Sequence, residues 1–199
     1  IRLSLVGSEM CIRDRPKLEA AKLGDLGAGD RGVEALCAAL AHSGCPLREL
    51  DLSSNEVTET AAMALARLIV LKRATLETLK LSENELGDRA ACVLGAAMEK
   101  GGGCPRLTRV DLGCAELTRV GAMAIARGAL AGGAKPMVAL DENAISATGV
   151  AELEALLCDR LVEMDMNDED GGDDDEGDGE EKQSGAVDML AAALAGMGV

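Results

Sequence analysis

One short pattern recurs along the chain and constrains its fold more than any other feature. LRELDLSSNEV at 47–57 returns as LETLKLSENEL at 76–86, as LTRVDLGCAEL at 107–117 and, degenerately, as KPMVALDENAI at 135–145. LEAAKLGDLGA at 18–28 falls in the same register. The starts at Leu18, Leu47, Leu76, Leu107 and Lys135 are 29, 29, 31 and 28 residues apart. A period of this size marks stacked supersecondary units, each too small to bury its own apolar face.

Each unit follows L-x-x-L-x-L-x-x-N-x-L. The alternation predicts a short strand with Leu50, Leu52, Leu79, Leu81, Val110 and Leu112 facing inward. Asn55, Asn84 and Asn143 share one slot, where the chain turns and a side-chain amide can satisfy backbone groups. That makes them a structural ladder rather than catalytic groups. Leu26 and Ala115 fill the slot in the other two units, so looser turns are expected there. Apolar residues then recur at helical spacing: Val33, Leu36, Leu40; Ala61, Leu65, Leu68; Ala91, Leu94, Met98; Ala122, Ile125; Val150, Leu153, Leu157. Gly32, Ala61, Ala90, Gly121 and Gly149 open these helices and are expected to let each pack closely behind its strand. The prediction is an α/β leucine-rich-repeat solenoid over residues 16–162. It is a monomeric, ribonuclease-inhibitor-like horseshoe of about five repeats, with strands on the concave side and helices outside.

The chain is 48% hydrophobic but contains no Phe, Trp or Tyr. A core of Leu, Ala, Val, Ile and Met suits a thin layered structure. The lack of aromatics also removes the platforms on which bases stack. The net charge is −15, and residues 163–181 hold twelve Asp or Glu with no Lys or Arg. Such a segment cannot bury a core, so 163–183 reads as a disordered acidic tail. This balance argues against binding nucleic acid through its phosphates. Beyond it, SGAVDMLAAALAGMGV at 184–199 reads as a short helix capped by Ser184, with Val187, Leu190, Leu194 and Met197 on one face. The opening IRLSLVGSEMCIRDR resembles a translated cDNA adapter, so residues 1–15 are set apart as non-native, with native sequence expected to be missing upstream. No apolar run is long enough to span a membrane.

The chain offers little for catalysis. Of the seven cysteines no pair is spaced C-x-x-C, and His42 is the only histidine, so neither a disulfide framework nor a zinc site is expected. Cys37 and Cys92 read as buried packing thiols. GAGDRG at 27–32 matches a dinucleotide-binding fingerprint, with Asp51 at the spacing of a ribose contact. The same turn returns at 56–61 and 85–90 without the glycines, so it reads as an ordinary repeat turn. GGGC at 101–104 lacks the Lys-Ser/Thr ending of a phosphate loop. No cofactor, metal or catalytic residue is assigned.

Partner binding would use the side chains between the inward leucines. Their central column reads Lys22, Asp51, Lys80, Asp111, Ala139. The adjoining loops add a ridge of acids: Glu56, Glu85 and Glu116, flanked by Glu83, Asp88 and Glu142. Candidate partner-binding residues are therefore Asp51, Glu56, Lys80, Glu83, Glu85, Asp88, Asp111 and Glu116, facing a basic patch on another protein, the alternative being a solvated rim that keeps the protein soluble.

Long repeats carrying LDLSSNEV and LKLSENELGD, with LCDRLVEMDMNDEDGGDDDEGDGEE directly after them, resemble the C-terminal part of the plant-type Ran GTPase-activating proteins. The resemblance covers about residues 18–181. It implies binding to the GTP-bound small GTPase Ran and stimulation of its hydrolysis, in nucleocytoplasmic transport. The setting implied is the cytoplasm and the nuclear envelope. In that family an Asn and an Arg of earlier repeats assist Ran's own catalytic glutamine. Those repeats lie upstream of this chain, so no catalytic residue is carried over. The chain is then a regulator, not an enzyme, and a poor activator by itself. Two other readings stay open: a non-enzymatic scaffold or immune-receptor-type repeat array, and an acidic histone-chaperone-like repeat protein. Steps of 28–31 residues are longer than the roughly 22–25 of the last class.

Overall fold

A computed structural model describes residues 17–162 together with Met164 and Asn167. The expectations for residues 1–15, for most of the acidic tail and for a helix at 184–199 lie outside the described residues.

Five three-residue strands alternate with five helices. The order is β1 (Ala20–Lys22), α1 (Gly29–His42), β2 (Glu49–Asp51), α2 (Ala62–Lys72), β3 (Thr78–Lys80), α3 (Gly87–Glu99), β4 (Arg109–Asp111), α4 (Arg119–Leu130), β5 (Met137–Ala139) and α5 (Ala147–Leu157). The strands form one parallel sheet in sequence order, each paired only with its neighbours in the chain. Register follows the repeat: Ala21, Leu50, Leu79, Val110 and Val138 stand opposite one another, as do Lys22, Asp51, Lys80, Asp111 and Ala139. Parallel strands need a crossover, and here every crossover is a helix on the same side of the sheet. The result is a leucine-rich-repeat solenoid of about five repeats.

The inward leucines of the strands and the helix residues Val33, Leu40, Leu65, Leu68, Leu94, Met98, Ile125, Leu153 and Leu157 form one continuous core. Leu36 and Val150 only flank it. Two of the small residues at the helix starts also pack against the preceding helix: Gly121 lies against Asp88 and Ala91, and Gly149 against Arg119 as well as Ile145 of its own unit.

Helices α3 and α4 approach most closely. A side-chain carbon on Gly95 would collide with the backbone of Ala124, and one on Gly128 with the backbone of Gly95. This close packing falls at the junction where the asparagine slot holds Ala115.

The asparagines tie each unit to its neighbours. Asn84 is buried; its Nδ2 donates to the carbonyls of Leu52, Leu81 and Ser82, and its Oδ1 accepts from the N–H groups of Asn55 and Val57. Asn143 repeats this, with Leu112, Leu140 and Asp141 as acceptors and Ala115 and Leu117 as donors. The amide thus serves the loop of the unit before it. The consequence of Ala115 is therefore displaced by one unit from where it was expected. The turn at Ala115 is held by Asn143, while the N–H of Asn84 donates to Cys114 O.

The ladder also runs past residue 162. Val162 N–H donates to Val138 O, Leu161 bridges to Val138, and Asn167 Oδ1 accepts from Asn143 N–H at 2.9 Å. Asn167 sits 24 residues after Asn143.

Candidate functional site

The concave face is the exposed side of β1 to β5. Its charges are largely paired with one another. Lys22 meets Glu49 at 3.0 Å, Arg48 lies between Glu19 and Glu77, Lys80 reaches Asp51 at 3.4 Å, and Arg109 holds Asp111 at 2.8 Å. The pairs of Arg48 and Lys80 follow from the parallel register, which sets residues 29 apart side by side, while Lys22 reaches Glu49 diagonally and Arg109 and Asp111 share one strand.

Asp51 is the most constrained member. Burial acts to raise its pKa, but the N–H and hydroxyl of Ser53 donate to its carboxylate and the Lys80 ammonium lies beside it. Together these outweigh burial and hold the carboxyl below its ordinary value. Ser82 continues the network by donating to Ser53 Oγ at 3.0 Å.

The edge where strands lead into helices is different. Glu56, Glu85, Glu116 and Glu142 are exposed there, and none of them has an ion-pair partner among the described residues. Glu83 is exposed too and accepts from Ser54 Oγ at 2.7 Å. Four of these acids, Glu56, Glu83, Glu116 and Glu142, have left-handed backbone, with φ between 55° and 57°. Because Asp25, Ser54 and Cys114 share this conformation at equivalent loop positions, it belongs to the repeat and not to one special site. Underneath, the loops are held by the buried asparagine amides, so the acids have no part in holding the backbone.

Of the eight candidate binding residues, the structure thus brings Asp51, Lys80 and Asp111 together on the concave strands. It places Glu56, Glu83, Glu85 and Glu116 along the adjoining edge. Asp88 stands apart. Its carboxylate accepts from the N–H and hydroxyl of Thr118 and from Gly121 N–H, joining α3 to the start of α4. Asp30 does the same for Thr58. These two clamps were not foreseen. Their sequence signal is an acid in the first helical turn followed 28 or 30 residues later by Thr.

The opposite edge, where helices lead into strands, carries bases. Lys72 is buried, and its ammonium donates to Ser43 O at 2.7 Å and Cys45 O at 3.1 Å, just past the C-terminus of α1. Arg73 donates to Gly101 O. Neither Cys37 nor Cys104 is poised as a nucleophile by charge. Burial, reinforced by Glu34, pushes the Cys37 thiol up to about 12. Burial raises Cys104 to about 11 against the opposing pull of Arg73. Among the described residues no three His, Cys, Asp or Glu side chains come together so as to hold a metal ion. No helix among them is long and apolar enough to cross a membrane.

Comparison with known proteins agrees with this geometry. The Leucine Rich repeat family matches residues 45–66, 73–91 and 103–126. RAN GTPase-activating protein 2 of Arabidopsis thaliana is 33% identical over 145 residues, 71% of this chain. Ribonuclease inhibitor of Sus scrofa is 39% identical over 74 residues, 37% of this chain. The chain spans only 26% of the plant protein's length and 16% of the inhibitor's. It is a leucine-rich-repeat domain related to RanGAP-like proteins.

Proposed function

We propose that this chain is a protein-binding segment of a plant-type Ran GTPase-activating protein, engaging GTP-bound Ran in nucleocytoplasmic transport, in the cytoplasm and at the nuclear envelope. The observation that carries the reading is the 33% identity to a RAN GTPase-activating protein over 71% of the chain. The geometry adds a mode of contact. A row of unpaired carboxylates beside a self-neutralised concave face favours a partner with a basic patch, which it would steer into register. Glu56, Glu85 and Glu116 form the centre of that row, with Glu83 and the concave residues Asp51, Lys80 and Asp111 beside it. Asp88 is left out, since its oxygens hold Thr118 and Gly121.

The chain regulates hydrolysis by another protein and is not itself an enzyme in this reading. The asparagine amides are taken up by backbone groups of adjacent units, so none is free to position a GTPase's catalytic group. Binding without strong activation is therefore expected. Single-turnover GTP hydrolysis by Ran with the purified chain present should stay close to Ran's intrinsic rate. Ran loaded with a non-hydrolysable GTP analogue should bind the chain more tightly than Ran loaded with GDP. Full acceleration would put the acting surface within this chain and overturn the residue assignment. Failure to bind either form would leave the likeness to ribonuclease inhibitor as the better guide, and with it a scaffold role.

A further inference from the structure

Four junctions join the five described units, and on the acidic edge three of them are bridged by a buried amide. Asn55 takes the N–H of Ala28 and donates to Leu23 O; Asn84 and Asn143 do the same for the units before them. Between the third and fourth units the slot holds Ala115, whose side chain can neither donate nor accept. Main-chain bonds remain there, from Glu83 N–H to Gly113 O, Asn84 N–H to Cys114 O and Gly87 N–H to Ala115 O. Beside them the Asp88 carboxylate holds Thr118 and Gly121 at the start of α4. The far edge of this junction is locked. Gly95, in the second half of α3, leaves no room for a side chain against Ala124, nor does Gly128 of α4 against Gly95. The loops that follow interlock in the same way, Gly103 against Ala131 and Gly132 against Gly102.

We propose that the junction between the third and fourth units is a hinge, with the backbone contacts of α3 and α4 as its pivot, the acidic edge as the side that opens, and the Asp88 clamp as its latch. Opening an amide-bridged junction would strip a buried asparagine of its partners in the neighbouring unit, a heavy cost. At the unbridged junction the bonds that break join loop N–H groups to loop carbonyls, which water can satisfy in their place. The exposed acids divide about the hinge, Glu56 and Glu85 on one side, Glu116 and Glu142 on the other. A small rotation therefore changes the gap between Glu85 and Glu116 and leaves the spacing within each half as it was. The rim can in this way be fitted to what it meets. The hinge belongs to the chain itself and holds whatever binds the rim.

Amide hydrogen exchange of the full chain, read residue by residue by NMR and corrected for intrinsic rates, tests this with no partner present. The N–H groups of Asn84 and Gly87, bonded across the unbridged junction, should exchange about tenfold faster than those of Asn55 and Leu117, which are bonded to asparagine amides. Ala115→Asn, which supplies the missing amide, should slow Asn84 and Gly87 several-fold. Asp88→Ala, which removes the latch, should speed them several-fold and leave Asn55 and Val57 unchanged. Equal protection at the bridged and unbridged junctions would overturn the proposal. So would exchange at Asn84 and Gly87 that Asp88→Ala leaves unaltered, a result that decides the matter even if Ala115→Asn does not fold.

Discussion

The two edges of this solenoid carry opposite charge and use it differently. On the acidic edge the backbone is secured from inside by Asn55, Asn84, Asn143 and Asn167, and the carboxylates of Glu56, Glu85 and Glu116 are left facing outward. On the basic edge the charged groups themselves hold the backbone: Lys72 satisfies the carbonyls of Ser43 and Cys45, and Arg73 that of Gly101. On one edge, then, the charged groups leave the backbone to other side chains. On the other, Lys72 and Arg73 hold it themselves. An edge of the first kind can change its surface without unfolding, which is what a binding face requires.

Substitutions should separate the two edges. The largest effect is expected for Asn84→Ala, which removes five hydrogen bonds and leaves two buried N–H groups without acceptors. A loss of about 3–5 kcal/mol in urea unfolding is expected. Lys72→Met on the opposite edge should cost about 2 kcal/mol, because it strands two carbonyls while keeping the apolar stem. If Lys72→Met proved neutral, bases on that edge would be as dispensable as the acids, and the contrast would fail.

A smaller effect is expected from pH. Asp51 has a folded pKa below its unfolded one, so its contribution is fully present above the unfolded value of about 4 and is lost as pH falls through the folded value. Unfolding of the wild type and of Asp51→Asn, followed from about pH 6 down to pH 2, should therefore converge at the acid end. Parallel curves would remove Asp51 from the network. The smallest effect is expected from the acidic edge itself. Replacing Glu56, Glu85 and Glu116 by Gln should leave Tm unchanged to within about 2 °C.

Much of this architecture was legible in the sequence. The strands, their register and the asparagine slot are local patterns repeated at a fixed step, and the structure places them where the repeat does. The acids of the rim were equally plain, because charged residues in loops face water by default. What escaped were contacts that depend on the neighbouring unit. Asp88 looks like another rim acid until α4 is stacked beside it and Thr118 donates into it. Lys72 lies in a helix whose final turn would ordinarily put a lysine in solvent, yet it is buried against the loop after α1. Asn167 was read as part of the acidic tail, because a step of 24 residues breaks the period and acids surround it. Gly95 and Gly128 carry no pattern of their own. Their role exists only in the distance between two helices.

In the proposed function the acidic edge is the face that meets Ran. Titrating Ran loaded with a non-hydrolysable GTP analogue into the wild-type chain, and into the chain with Glu56, Glu85 and Glu116 changed to Gln, tests it most directly. The affinity should fall by about tenfold or more, roughly 1.4 kcal/mol or more, with Tm unchanged. Equal affinities for the two chains would take Glu56, Glu85 and Glu116 out of the contact with Ran.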